Sequence, residues 1–323
     1  MPCVRDSVNW VFGDYMRAVF ERFQLLEQLG SGGEGDAWLA LDRSTGKTVV
    51  CKKLARSDVP DGVDRSECSD SPDPMRSLLR VLSSGYPAPP IQRFASGAES
   101  WSVCPYIEGI SLYKLSANKS APFWGLGVVL EILWQLSTEI AALHQHQTMH
   151  GDIAPSNVVV NPGGGLALID FGQSARFGDL ASSCGVPGFI APERLNSGVA
   201  CAESDAFSLG CLIYWLLTGS LPEILINNRV AVGVVPPRVL SVNCLIEERL
   251  TALAAELTTL DPHARASLGE ARRALSNLQQ EIPLVTKESL AALVSRHLRN
   301  RGLPPGEPTI GKSFGSRSGL LER

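Results

Sequence analysis

The sequence predicts an α+β fold in two parts, strands first and helices after, on three observations. Short runs of strand character separated by turn signals fill Phe23 to Leu54. Apolar residues at helical spacing dominate later, over 128–144, 204–217 and 247–260. Strands and helices are segregated along the chain rather than alternating, which is the α+β pattern. With 323 residues, 44% hydrophobic and 19% charged, the chain can bury a core and is not globally disordered; its length admits two domains or one bilobal domain with extensions.

Charge narrows the partners. Lys and Arg total 29 against 33 Asp and Glu, a net −4, without the basic excess of a nucleic-acid coat. The longest uncharged core-like run, Ala206 to Leu217, is short of the roughly 20 apolar residues of a bilayer span, so no membrane span is expected. Arg5, Asp6, Asp14 and Arg17 interrupt the N-terminal apolar residues, unlike a secretory signal. The eight cysteines (3, 51, 68, 104, 184, 201, 211, 244) contain no C-x-x-C pair and read as reduced thiols. Together these predict a cytoplasmic protein, with oligomeric state left open.

Phe12, Tyr15, Met16, Val19 and Phe20 predict a short amphipathic helix ahead of the main domain. Strands follow over 23–29, 36–41 and 48–54; between the first two lies Gly30-Ser-Gly32-Gly-Glu-Gly35. Residues 55–74 carry six acidic and two basic side chains and three prolines, a solvated loop. Asp73-Pro74 then reads as an N-cap with proline at the first helical position, and Met75, Leu78, Leu79 and Leu82 as the buried face of a short helix. Another strand lies beyond Trp101, and Val129, Ile132, Leu133, Leu136, Ile140 and Leu143 mark a long helix. From Arg301 the chain is rich in Gly, Pro and Ser and reads as a flexible tail.

Glycines spaced G-x-G-x-x-G also mark dinucleotide sites, but those require a helix next; here Asp36-Ala37-Trp38-Leu39-Ala40 reads as a strand returning in a hairpin. Such a flap lets backbone N–H groups approach phosphate, since no Cβ intrudes. Lys52 lies in an otherwise apolar strand, where an edge lysine facing solvent is the plain alternative. Asp152 and Asn157 stand five apart across a proline turn in His150-Gly151-Asp152-Ile-Ala154-Pro-Ser-Asn157, and Asp170-Phe171-Gly172 follows the next strand. Two carboxylates and an amide at adjacent strand ends are what metal-assisted phosphoryl transfer needs: one orients a hydroxyl, and hard oxygens hold Mg²⁺ against phosphates.

In these motifs the chain resembles eukaryotic-type (Hanks-type) Ser/Thr protein kinases over about Phe23 to Leu278. The resemblance implies a bilobal kinase-like fold, with a helical extension at 1–22, a kinase domain at 23–280 divided near 107, and a C-terminal extension at 281–323. It implies ATP with Mg²⁺, or alternatively Mn²⁺, and a protein substrate. Gly30, Gly32, Gly35, Ala37, Lys52, Pro105 and Ile107 would contact nucleotide, with Cys104 as gatekeeper. Asp152, Lys52 and Asn157 would be catalytic, and Asn157 and Asp170 metal ligands. Phe171, Gly172, Glu193 of Ala-Pro-Glu, Asp205 and Arg265 would be structural, with Arg265 pairing with Glu193 and Asp205 tying down the catalytic loop.

Several positions depart from the family pattern. Gly151 stands where many members carry arginine, so switching by a phosphorylated Ser182 or Ser183 is not expected. Ala154 replaces a lysine, Val186 a threonine, and Val50 the alanine over adenine. The helix at 74–84 has no acidic residue to pair with Lys52; Glu67, in the acidic loop, is the nearest glutamate. These departures motivate an alternative, a pseudokinase that binds nucleotide or a partner. A third reading, a small-molecule phosphotransferase, shares His-Gly-Asp and Asp-Phe-Gly but not Ala-Pro-Glu, Asp205 or Arg265.

Overall fold

A computed structural model of the chain describes residues 22–32, 35–54, 92–96, 99–116, 124–181, 183–196, 198–227, 230–237, 245–281 and 287–300. The expected helices at 10–20 and 74–84, the acidic loop with Glu67, and the tail from 301 lie outside these residues. The described residues divide into two compact units, one reaching Tyr106 and one starting at Ile107.

The first unit is a five-stranded antiparallel sheet of β1 (Phe23–Gly32), β2 (Gly35–Asp42), β3 (Lys47–Leu54), β4 (Gln92–Ser96) and β5 (Glu99–Pro105), in the order β1-β2-β3-β5-β4. Its core obeys the two-residue period of a strand. Phe23 and Leu25, Trp38 and Ala40, Val49 and Cys51, and Trp101 and Val103 each supply an alternate pair to one face. β1 and β2 run further into the glycines than the sequence predicts, pairing Gly30 with Ala37 and Gly32 with Gly35. Extended glycines continue the ladder, and register shifts on either side of Glu27–Gln28 absorb the irregularity. A hairpin, and not a helix, therefore follows the glycines. Gly46, at φ 69°, closes the β2–β3 turn, and Asp42 holds it by accepting from Ser44 N at 2.9 Å and from Arg22 Nη2 at 2.9 Å.

The second unit is built on helices α1 (Leu112–Ser116), α2 (Leu126–Gln145), α3 (Pro192–Asn196), α4 (Ala202–Thr218), α5 (Leu245–Leu257), α6 (Leu268–Glu281) and α7 (Lys287–Asn300). The stripe read from the sequence, Val129, Ile132, Leu133, Leu136, Ile140 and Leu143, is the buried face of α2. By length and composition α2 is also the one described helix able to cross a bilayer, yet half of it is buried inside the protein, as in a core helix. α4 is buried nearly all round and ends where Gly219, at φ 72°, donates its N–H to the Trp215 carbonyl. Short strands fill the rest: β6 (Ile110–Ser111), β8 (Val158–Val160) and β9 (Leu166–Leu168) form one sheet, β7 (Thr148–Met149) and β10 (Ala175–Arg176) another. A hairpin of β11 (Glu223–Asn227) and β12 (Val230–Val235) interrupts the helical half, which the sequence reading did not anticipate.

α7 lies beyond residue 280 and packs against α1, α2 and β8. Leu290, Val294 and Leu298 recur every four residues and are all buried, so this helix is part of the second unit's core. Leu290→Ala is expected to cost about 2–5 kcal/mol in urea-unfolding free energy, the usual effect of emptying a buried leucine site.

Candidate active site

Local pairing builds the site. β8 pairs Val158 with Leu168 of β9, and one step further Ile169 N donates to the Asn157 carbonyl at 2.9 Å. The ladder thus brings Asn157 and Asp170 to neighbouring strand ends. β7 and β10 pair Met149 with Ala175, so the 150–157 loop runs beside the turn after Asp170. Ser174 Oγ donates to the His150 carbonyl at 2.9 Å and joins the two segments again.

Asp205, fully buried on α4, holds the start of the loop. Its carboxylate accepts from His150 N at 2.8 Å, Gly151 N at 2.9 Å and His144 Nε2 at 2.9 Å. Burial alone would raise this carboxyl, but the His144 bond and the loop amides outweigh it and hold it below the usual carboxylate range. His144 ends α2 and packs edge-on against Phe177. His150 is fully buried, its Nδ1 accepts from Asp152 N at 3.2 Å, and its ring lies 4.8 Å from that of Phe171. Burial pushes its pKa down and keeps the imidazole neutral.

The Asp152 carboxylate is gripped on both oxygens. Asn157 Nδ2 donates to Oδ2 at 2.6 Å, and Val186 N donates to Oδ1 at 2.8 Å. Asn157 Nδ2 also bonds the Asp152 carbonyl at 2.9 Å, which turns the amide so that Oδ1 is the atom outside these bonds. Ala154 is completely buried, and from the segment where threonine is usual the Val186 N–H reaches Asp152. Asp170 sits in the left-handed region at φ 64° and opens a short 3₁₀ turn, Phe171–Gln173, with Gly172 N directed at its carboxylate at 3.4 Å. A non-glycine residue in that conformation is a local cost that marks functional loops.

Glu193 and Arg265, 72 positions apart, form a bidentate pair at 2.7 and 2.9 Å. Ser204 Oγ adds a bond to Glu193 at 2.8 Å, while Arg265 also donates to the Glu203 carbonyl at 2.6 Å and stacks on Phe207. The pair ties α3, the start of α4 and the 259–265 turn together.

In the first unit, Ala37, Lys52 and Ser102 lie side by side across β2, β3 and β5, with Lys52 half-buried. A Cβ added at Gly30 would meet nothing within 4 Å, so sheet packing does not require glycine there, and the open space suits close approach of a ligand. Pro105 ends β5, where a missing N–H is harmless, and Ile107 begins the second unit, half-buried. Among the described residues no three His, Cys, Asp or Glu side chains cluster as a dedicated metal centre. The donors on hand, the Asp170 carboxylate and the Asn157 amide oxygen, are hard oxygens on neighbouring strand ends. That set fits an ion of the Mg²⁺ type, which takes one or two protein ligands and completes its shell with phosphate and water.

A five-stranded antiparallel sheet followed by a helical unit, with Asp152, Asn157 and Asp170 on its small-sheet loops, defines an α+β fold of protein kinase type. The protein kinase domain model matches residues 23–276, and the chain belongs to that family. It is 30% identical over 217 residues to serine/threonine-protein kinase pkn2 of Myxococcus xanthus, covering 62% of this chain and 25% of that protein. It is 30% identical to serine/threonine-protein kinase D of Synechocystis (63% and 42% covered) and 28% identical to serine/threonine-protein kinase PrkC of Bacillus subtilis (62% and 31%). The chain therefore spans well under two thirds of these relatives.

Proposed function

We propose that the chain transfers the γ-phosphate of MgATP, or MnATP, to Ser or Thr hydroxyls of protein substrates. The observation that carries this reading is the Asp152 carboxylate, clasped by Asn157 and Val186 on a loop that Asp205 anchors. A carboxylate fixed in this way orients an incoming hydroxyl and accepts its proton. Asn157 and Asp170 would hold the metal, Gly30, Gly32, Gly35 and Lys52 the phosphates, and Ala37, Pro105 and Ile107 the base. A bound divalent ion would neutralise charge on the phosphates. Phosphoryl transfer is mostly positioning plus charge stabilisation, and the rigidity of this loop supplies the positioning.

The test is incubation with labelled MgATP and a general protein acceptor, wild type beside Asp170→Ala. Label on Ser or Thr in the wild type that falls to background in the folded variant supports the reading. A folded wild type that transfers nothing to several acceptors, with Mg²⁺ and with Mn²⁺, overturns it in favour of a nucleotide- or partner-binding module.

A further inference from the structure

Gly151 leaves no cation beside Asp152 on its own loop, and the backbone forbids restoring one. The residue sits at φ 81°, and a Cβ there would come 2.4 Å from the Gln173 carbonyl oxygen, in the turn after Asp170. A cation arrives from another element. Arg194, on α3 and only 2% exposed, donates Nη1 to the Gly151 carbonyl and Nη2 to the Cys184 carbonyl at 3.2 Å. One guanidinium thereby links the peptide before Asp152 to the segment that ends in Val186. That segment makes a second, parallel link, Val186 N to Asp152 Oδ1 at 2.8 Å, while the Cβ position of Gly185 lies 3.0 Å from the same oxygen. Burial opposes charge on the guanidinium, and the Asp205, Asp152 and Glu193 carboxylates favour it. The planar guanidinium aims two N–H groups at the two carbonyls from one rigid fork, whereas lysine would offer its three donors on a single mobile ammonium.

We propose that Arg194 is a positioning residue: it fixes residues 184–186 on the Asp152 carboxylate with a cation of the chain itself, so that the segment needs no phosphate to be set for transfer. This inference rests on the phosphotransfer reading above. Removing the fork takes the guanidinium bond from the Cys184 carbonyl, the Val186 N–H leaves Asp152 more often, and the carboxylate loses a fixed donor.

The test compares Arg194→Met and Arg194→Lys with wild type, and Arg249→Met, from an exposed pair with Glu281, as control. Arg194→Met is expected to lower kcat about 10- to 100-fold with KM for ATP within about twofold, because a positioning group acts on the transfer step and not on nucleotide binding. Hydrogen exchange at the Val186 amide should rise about tenfold or more while α4 keeps its protection. Arg194→Lys should recover part of kcat, Arg249→Met should match wild type, and phosphatase-treated wild type should keep its activity. Unchanged Val186 exchange in Arg194→Met, equal loss of protection across α4, or inactivation by phosphatase would each overturn the inference. If the wild type transfers no phosphate, the phosphotransfer reading fails separately, and Val186 exchange alone decides whether the bridge holds the segment.

Discussion

Asp152→Asn is expected to lower kcat by about 10²–10⁴-fold while leaving MgATP affinity within a few-fold, the signature of a group that acts on the hydroxyl rather than on the nucleotide. The substitution preserves volume but changes which atoms accept. Wild-type Oδ2 takes the Asn157 Nδ2 donor and Oδ1 the Val186 N–H. An asparagine presents one oxygen and one NH₂, so one of the two donors must face another donor. A buried donor left unsatisfied costs about 1–3 kcal/mol, so a moderate fall in thermal stability accompanies the kinetic loss. Catalytic rates with labelled ATP, calorimetric nucleotide affinity and a melting curve separate the two effects. A variant that binds MgATP normally and still transfers within tenfold of wild type would remove Asp152 from the role of hydroxyl-orienting base.

The parts of this site that were legible in the sequence are those where chemistry needs a named side chain at a fixed spacing. Asp152 and Asn157 stand five apart because the turn must return the amide to the carboxylate, as the 2.6 Å bond between them requires. Asp170 follows a short strand because β9 must carry it level with Asn157. The contributions of His144, Arg194 and Val186 left no comparable mark. Arg194 acts on a backbone carbonyl 43 residues away and Val186 acts through its own backbone N–H on a carboxylate 34 residues away, and a main-chain carbonyl or N–H is present at nearly every residue. His144 precedes His150 by six residues at the end of α2, and only the folded contact with Asp205 gives it meaning.

The fold divides in the same way. α2 and α4 were readable because one face or nearly the whole surface of each is apolar over three or more turns. The hairpin of β11 and β12 was not, since Glu223–Asn227 and Val230–Val235 are short runs whose length suits a strand or a helix end equally. The stripe Leu290, Val294 and Leu298 offered a usable signal for α7 at helical spacing, but it is narrow, one residue per turn, amid charged neighbours.

Arg265→Met is expected to cost about 3–5 kcal/mol of stability, because it strands a largely buried carboxylate. The Arg265 side chain is fully buried and that of Glu193 is 12% exposed, so water cannot replace the lost partner. Methionine fills much of the volume and keeps contact with Phe207, so the loss reads mainly as electrostatic. The pH dependence gives an independent check. Burial on its own would raise the Glu193 carboxyl, but the two Arg265 bonds and the Ser204 hydroxyl outweigh it and hold it below its ordinary value. A carboxyl depressed on folding contributes stability that is full above its unfolded pKa, about 4.3, and is lost as pH falls through the folded value. Wild type should therefore lose stability progressively below about pH 4.5. In Arg265→Met the depression is gone and burial governs, so Glu193 takes up a proton more readily in the folded state than in the unfolded one. The variant's deficit should shrink on acidification from pH 7 to pH 4, and Glu193→Gln in the Arg265→Met background should recover part of it at pH 7. Urea unfolding of the three proteins at both pH values measures this. A deficit that stays constant with pH would mean that Arg265 stabilises the fold through the Glu203 and Thr259 carbonyls and Phe207, and not through its charge on Glu193.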